Sequence, residues 1–154
     1  MFPIRVVAIP TEVAEAVRST NKDPHYGFPA YTAAIKEAAP CRHCLQRIAA
    51  GEKATLFTYD AFAGQENLPL PGPVYIHAEA CRRYPEDAGY PLAMRNRRTL
   101  NAYGRGRRLV AQEYVDGSDM EAKLERLLSR REVDYIHVRS TDAGCFTFRI
   151  ERAA

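Results

Sequence analysis

The clearest pattern of apolar and polar positions lies near the C-terminus. In DYIHVRS, Ile136 and Val138 alternate with Tyr135, His137 and Arg139, and in CFTFRI, Phe146, Phe148 and Ile150 alternate with Cys145, Thr147 and Arg149. Strict alternation is the period of a half-buried strand, and the turn residues Ser140–Gly144 join the two runs into a predicted β-hairpin with one core face and one polar face. Simple pairing sets Arg139 opposite Cys145, His137 opposite Thr147 and Tyr135 opposite Arg149. Upstream, Met120, Leu124, Leu127 and Leu128 make one apolar stripe at helical spacing, with Ser118 and Glu121 as a capping box and an end near Asp134. The apolar face of the hairpin is expected to pack on that stripe, burying Ile136, Val138, Phe146 and Phe148.

The rest of the chain is punctuated by turns. Residues 4–9 read as a buried strand ending at Pro10, followed by a helix from a Thr11 cap to about Thr20 with Val13, Ala16 and Val17 on one side. Residues 21–29 are loop. Ala30–Ala39 places Tyr31, Ala34, Ile35 and Ala38 at helical spacing and predicts a helix stopped by Pro40. Strands are expected at 54–59, 73–77 and 107–115, the last closed by Asp116-Gly117. The fourteen residues 60–73 lack periodicity and suit a lid or binding loop. Pro85, Gly89, Pro91, Gly104 and Gly106 break any long element in 85–108. Helices and antiparallel strands in this order predict one α+β domain over 1–154, mostly antiparallel sheet with two or three flanking helices.

Composition changes this picture little. The 154 residues suffice for one core, and 46% apolar with 27% charged residues is ordinary for a globular chain. No apolar run approaches the roughly 18–20 residues of a membrane span, and the start lacks the zones of a signal peptide, so a cytoplasmic location without membrane attachment is expected. There, C-x-x-C means metal or redox chemistry more often than a disulfide. The net charge of +3 does not demand nucleic acid.

Three candidate sites remain. Cys41 and Cys44 stand three apart in PCRHC, and His77 and Cys81 four apart in VYIHAEAC. Two short-spaced pairs of soft and borderline ligands can supply a zinc tetrahedron, and the segment 41–81 looks like a treble clef if a helix carries His77 and Cys81 on one face. Against this, both knuckle cysteines could be small buried apolar residues, and Pro85 leaves little room for the helix. A redox pair lacks the βαβ context it would need. Second, Cys145 beside Arg139 would have its thiolate favoured, and His137 or His77 could serve as base; the plain alternative is a solvated sheet face. Third, 94–108 carries Arg95, Arg97, Arg98, Arg105, Arg107 and Arg108 around Tyr103 with no acidic residue, suiting phosphate contacts and base stacking, although charge runs are usually just solvated. Glycine-rich phosphate loops, nucleophile elbows and metalloprotease motifs are absent from the sequence.

Taken together, PCRHCLQRIAAGE, LFTYDAF, GPVYIHAEACRRYP and YIHVRSTDAGCFTFRIER resemble the bacterial proteins grouped as domain-of-unknown-function family 1203. The resemblance spans nearly the whole chain. It implies a single bacterial domain of this length and carries no activity. Members lacking the second cysteine would make zinc a variant feature of the family. The sequence thus points first to a small non-enzymatic module that binds a small ligand or protein, with zinc as candidate cofactor. An enzyme using Cys145 and an arginine-mediated nucleic-acid binder are the alternatives.

Overall fold

The computed structural model describes residues 3–62 and 71–153. Among these, the strands are β1 (Ile4–Val7), β2 (Tyr31–Ala34), β3 (Ala39–Pro40), β4 (Arg47–Ile48), β5 (Lys53–Asp60), β6 (Pro71–His77), β7 (Arg98–Gly104), β8 (Arg108–Val115), β9 (Tyr135–Ser140) and β10 (Phe146–Arg152). Two α-helices accompany them, α1 (Thr11–Thr20) and α2 (Met120–Leu128). All pairings are antiparallel. A five-stranded sheet runs β1-β10-β9-β7-β8, a three-stranded sheet runs β2-β5-β6, and β3-β4 form a minimal ribbon. The fold is α+β, as the order of elements predicts.

The two larger sheets have separate cores. Beneath the five-stranded sheet, Met120, Leu124, Leu127 and Leu128 of α2 pack on Leu100, Ile136, Val138, Phe148 and Ile150. Here the helical stripe and the strand alternation meet, because both patterns exist to hide one face from water. The three-stranded sheet packs Ala54, Phe57, Val74 and Ile76 on Ala14 and Val17 of α1, together with Cys41, Cys44 and Ile48. Leu45, next to Cys44, enters the first core. The β3–β4 turn therefore reaches into both.

Several local expectations are corrected. Ala30–Ala39 is not a helix: Tyr31–Ala34 pairs with β5, Thr32 Oγ1 lying 2.9 Å from Thr55 Oγ1, and all four residues are exposed. The free edge of β5 offers backbone partners that outweigh a weak helical preference. Thr11 caps nothing, since its hydroxyl lies 3.0 Å from His43 Nε2. The capping box does not close either. Ser118 Oγ donates to Asp116 Oδ1 at 2.7 Å, Glu121 pairs with Arg95, and α2 ends at Leu128 rather than near Asp134. Gly117 (φ 104°) makes that turn where the Arg95 carbonyl occupies the space of a Cβ.

The hairpin forms in a different register. Arg139 faces Phe146 and His137 faces Arg149, with a bulge between Phe146 and Phe148. All four predicted core residues are buried. The bulge nevertheless turns Phe146 to the opposite face, against Tyr59 and His137 (ring centroids 5.7 and 4.9 Å). That face is not solvated: His137 and Thr147 are fully buried. In the stretch 85–108, β7 is a central strand, buried along nearly its whole length. Of the proposed loop 60–73, Asp60 and Pro71–Pro73 belong to strands, and 63–70 lie outside the described residues.

Candidate metal centre

The β3–β4 ribbon positions the first two cysteines. Ala39 pairs with Ile48 and Pro40 with Arg47; the Cys41 amide then donates to Gln46 O (2.9 Å), and the Leu45 amide to Cys41 O (2.9 Å). Leu45 closes the turn in the left-handed region (φ 57°). The ribbon is held from two sides, because the Arg42 amide donates to Tyr75 O of β6 (3.2 Å) and Arg42 O accepts from the Ile9 amide (2.9 Å). His77 ends β6 opposite Ala54. Cys81 follows in irregular chain, pinned by the Tyr84 amide donating to His43 O (3.0 Å). No helix carries His77 and Cys81, so the treble-clef expectation is corrected, although the four side chains still meet.

Their ligand atoms lie within 4.8 Å of one another. Cys41 Sγ is 3.9 Å from Cys81 Sγ, and Cys44 Sγ is 3.4 Å from His77 Nδ1. With zinc bonds of about 2.3 Å to sulfur and about 2.0 Å to nitrogen, the edges of a tetrahedron are about 3.8 Å between sulfurs and about 3.5 Å between sulfur and nitrogen. Both edges match closely.

Hydrogen-bond donors surround the sulfurs. The His77 amide donates to Cys41 Sγ (3.3 Å), and Arg18 donates from Nη2 to Cys81 Sγ (3.4 Å) and from Nε and Nη2 to His77 O (3.2 Å each). His43 Nδ1 lies 3.1 Å from Cys81 Sγ, and a proton on Nδ1 leaves Nε2 to accept from Thr11. Glu52 Oε2 stands 4.0 Å from His77 Nε2. Such outer groups orient ligands and stabilise thiolate charge. A hydrogen bond from the Cys44 thiol pushes the Cys41 pKa well below the ordinary thiol value, with help from backbone amides. Cys44 is raised by donating that bond and by burial, and burial also raises Cys81. One thiolate is thus already favoured in the cluster. Arg18, His43 and Glu52 were not legible as site residues; the only hint was that His43 lies inside the C-x-x-C.

The other candidates are scattered. Cys145 sits in the β9–β10 turn with its Sγ 3.8 Å from Ala143 O, Arg139 donates to Gly144 O (3.2 Å), and neither hydrogen-bonds to His137. The His137 ring is enclosed by Phe62, Tyr103, Tyr135 and Phe146, both nitrogens lack hydrogen-bond partners among the described residues, and burial pushes its pKa down to about 2. It is not positioned to act as base for Cys145.

In the basic stretch, Arg95 pairs with Glu121 and Arg97 with Asp142 (3.3 Å), while Arg107 lies 5.0 Å over the Phe62 ring. Arg105 and Arg108 are exposed. Arg98 and Tyr103 are both buried, on opposite faces of β7, so Tyr103 presents no surface for a base to stack on. The structure does not gather these residues into one interface.

The family described as "Protein of unknown function (DUF1203)" matches residues 38–152, and the chain belongs to it. Neither the curated proteins nor the solved structures contain a match. Among the described residues no helix is long and apolar enough to cross a membrane.

Proposed function

We propose that this member of the DUF1203 family is a binding module whose smaller sheet is stapled by a structural zinc ion held by Cys41, Cys44, His77 and Cys81. The observation that carries the reading is the convergence of four ligand atoms within 4.8 Å, from two segments that share no strand pairing. Three cysteines and one histidine are the donor set zinc prefers, and four protein ligands leave no open position for substrate, which is the mark of a structural site. Zinc here would tie the β3–β4 turn to the end of β6. In protein purified without chelator, zinc analysis should find about one ion per chain, and Cys41→Ala with Cys81→Ala should abolish it. A folded wild-type chain that takes up no zinc, even on reconstitution, overturns the proposal.

A second reading, an enzyme using Cys145, has one observation in its favour. Cys145 lines the same cleft as Tyr75 and Arg42. It lacks a base, because no histidine bonds to Cys145 among the described residues, and the metal reading therefore stands first.

A further inference from the structure

A cleft of about 970 Å³ opens between the three-stranded sheet and the β9–β10 turn, and two arginines line it although their side chains are almost wholly buried, Arg42 at 4% and Arg98 at 5% exposure. Neither forms an ion pair with any described residue. Arg42 donates from Nε to Phe146 O (2.9 Å) and from Nη1 to Pro40 O (2.9 Å), leaving Nη2 without a partner. Arg98 is worse served: Nε reaches Met94 O at 3.5 Å, Nη2 reaches only the Met94 sulfur at 3.3 Å, and Nη1 has no partner. Of the two carboxylates that line the cleft, Asp142 is engaged by Arg97, and Glu37 pairs with neither arginine. Two buried guanidinium groups at one cleft, neither paired directly with a carboxylate, are costly to bury, and an anion from outside the chain would offset that cost.

We infer that this cleft binds a small molecule through an oxyanion, carboxylate or phosphate, clamped between the Arg42 and Arg98 guanidinium groups. Arginine presents paired donors that match either group. Leu56, Val74 and Tyr75 line the same cleft and offer an apolar wall to the body of the ligand, and the volume suits a metabolite-sized molecule. Arg42 reaches the cleft because it lies inside the cysteine turn, whereas Arg98 comes from β7. None of the four metal-ligand candidates lines the cleft, so either proposal can fail without the other.

The test uses the full chain in chloride buffer, titrated separately with inorganic phosphate and with benzoate by calorimetry. At least one probe should saturate a single site per chain and raise the melting temperature. Arg98→Gln should weaken binding about tenfold or more, because a charge-assisted contact is lost, while the zinc content stays unchanged. Phosphate binding without benzoate binding assigns the site to phosphoryl ligands, and the reverse assigns it to carboxylates. For the case in which Arg98→Gln fails to fold, the wild-type arginine Nε–H signals give an independent readout. Arg42 and Arg98 should shift with the probe while Arg105 does not. Absence of saturable binding by both probes, shifts confined to other arginines, or a folded Arg98→Gln variant that binds like wild type would each overturn the inference.

Discussion

The five-stranded and three-stranded sheets solve the same problem with different means. Beneath the larger sheet lie leucines, isoleucines, Met120 and Phe148, long side chains that bury much apolar surface per residue. Beneath the smaller sheet the core includes Ala14, Ala30, Ala54, two valines and two cysteines, and its edge strand β2 is exposed throughout. Less apolar area is hidden there, so less free energy opposes local opening. The cysteine–histidine cluster sits on the weaker side, where a cross-link adds most. The smaller core also holds Ile9, Ile48, Phe57 and Ile76, but it has fewer large side chains than the other, and a small core gains most from a staple.

The largest effect that could break this contrast is metal removal. Structural zinc in small domains supplies on the order of 10 kcal/mol of apparent binding energy, so chelation should sharply destabilise the smaller sheet. Amide exchange followed by mass spectrometry should then show β2, β5, β6 and the Cys41–Cys44 turn losing protection well before β9, β10 and α2. Uniform loss of protection would mean that the two regions open as one.

Next in size is a truncation in the stronger region. Leu124 is fully buried in the α2 stripe, and Leu124→Ala should cost about 2–5 kcal/mol in denaturant unfolding through the lost contacts and the cavity left behind. Zinc content at neutral pH should not change. A variant that folds but loses its metal would show the staple to depend on the larger core.

The smallest effect at neutral pH concerns His137, which lies where the regions touch, between Phe62 beyond β5 and Phe146 of β10. Its pKa falls from 6.5 to about 2 on folding, chiefly by burial and then through Arg139 and Arg149. The unfolded chain therefore binds the extra proton between those values. The neutral ring's stabilising effect is complete above about pH 6.5 and declines as pH falls toward 2, by about 1.4 kcal/mol per pH unit within the window. His137→Leu should flatten the acid limb of the stability profile by about that slope. An unchanged limb would place the sensitivity on other groups.

Local periodicity was enough to read the α2 stripe, the strands β5, β6, β8, β9 and β10, and helix α1, because each pattern repeats within one element. The four candidate metal ligands were legible for a related reason: donor type and short spacing are properties of adjacent residues. Their convergence was not, since it depends on backbone bonds joining Arg42 to Tyr75 and Ile9. Strand partners are supplied from elsewhere in the chain, which is why 30–39 read as helix, why β7 was hidden among arginines and breakers, and why the bulge at Phe146–Phe148 shifted the hairpin register. Burial of a polar side chain likewise depends on what packs over it. Sequence marked His137 as a candidate base and Arg98 as a candidate phosphate contact, left Arg42 unremarked, and showed the burial of none of them. The packing of one sheet's edge against the other's turn enclosed His137 in aromatic rings and brought the two arginines to one cleft, because such proximity arises only between segments far apart along the chain.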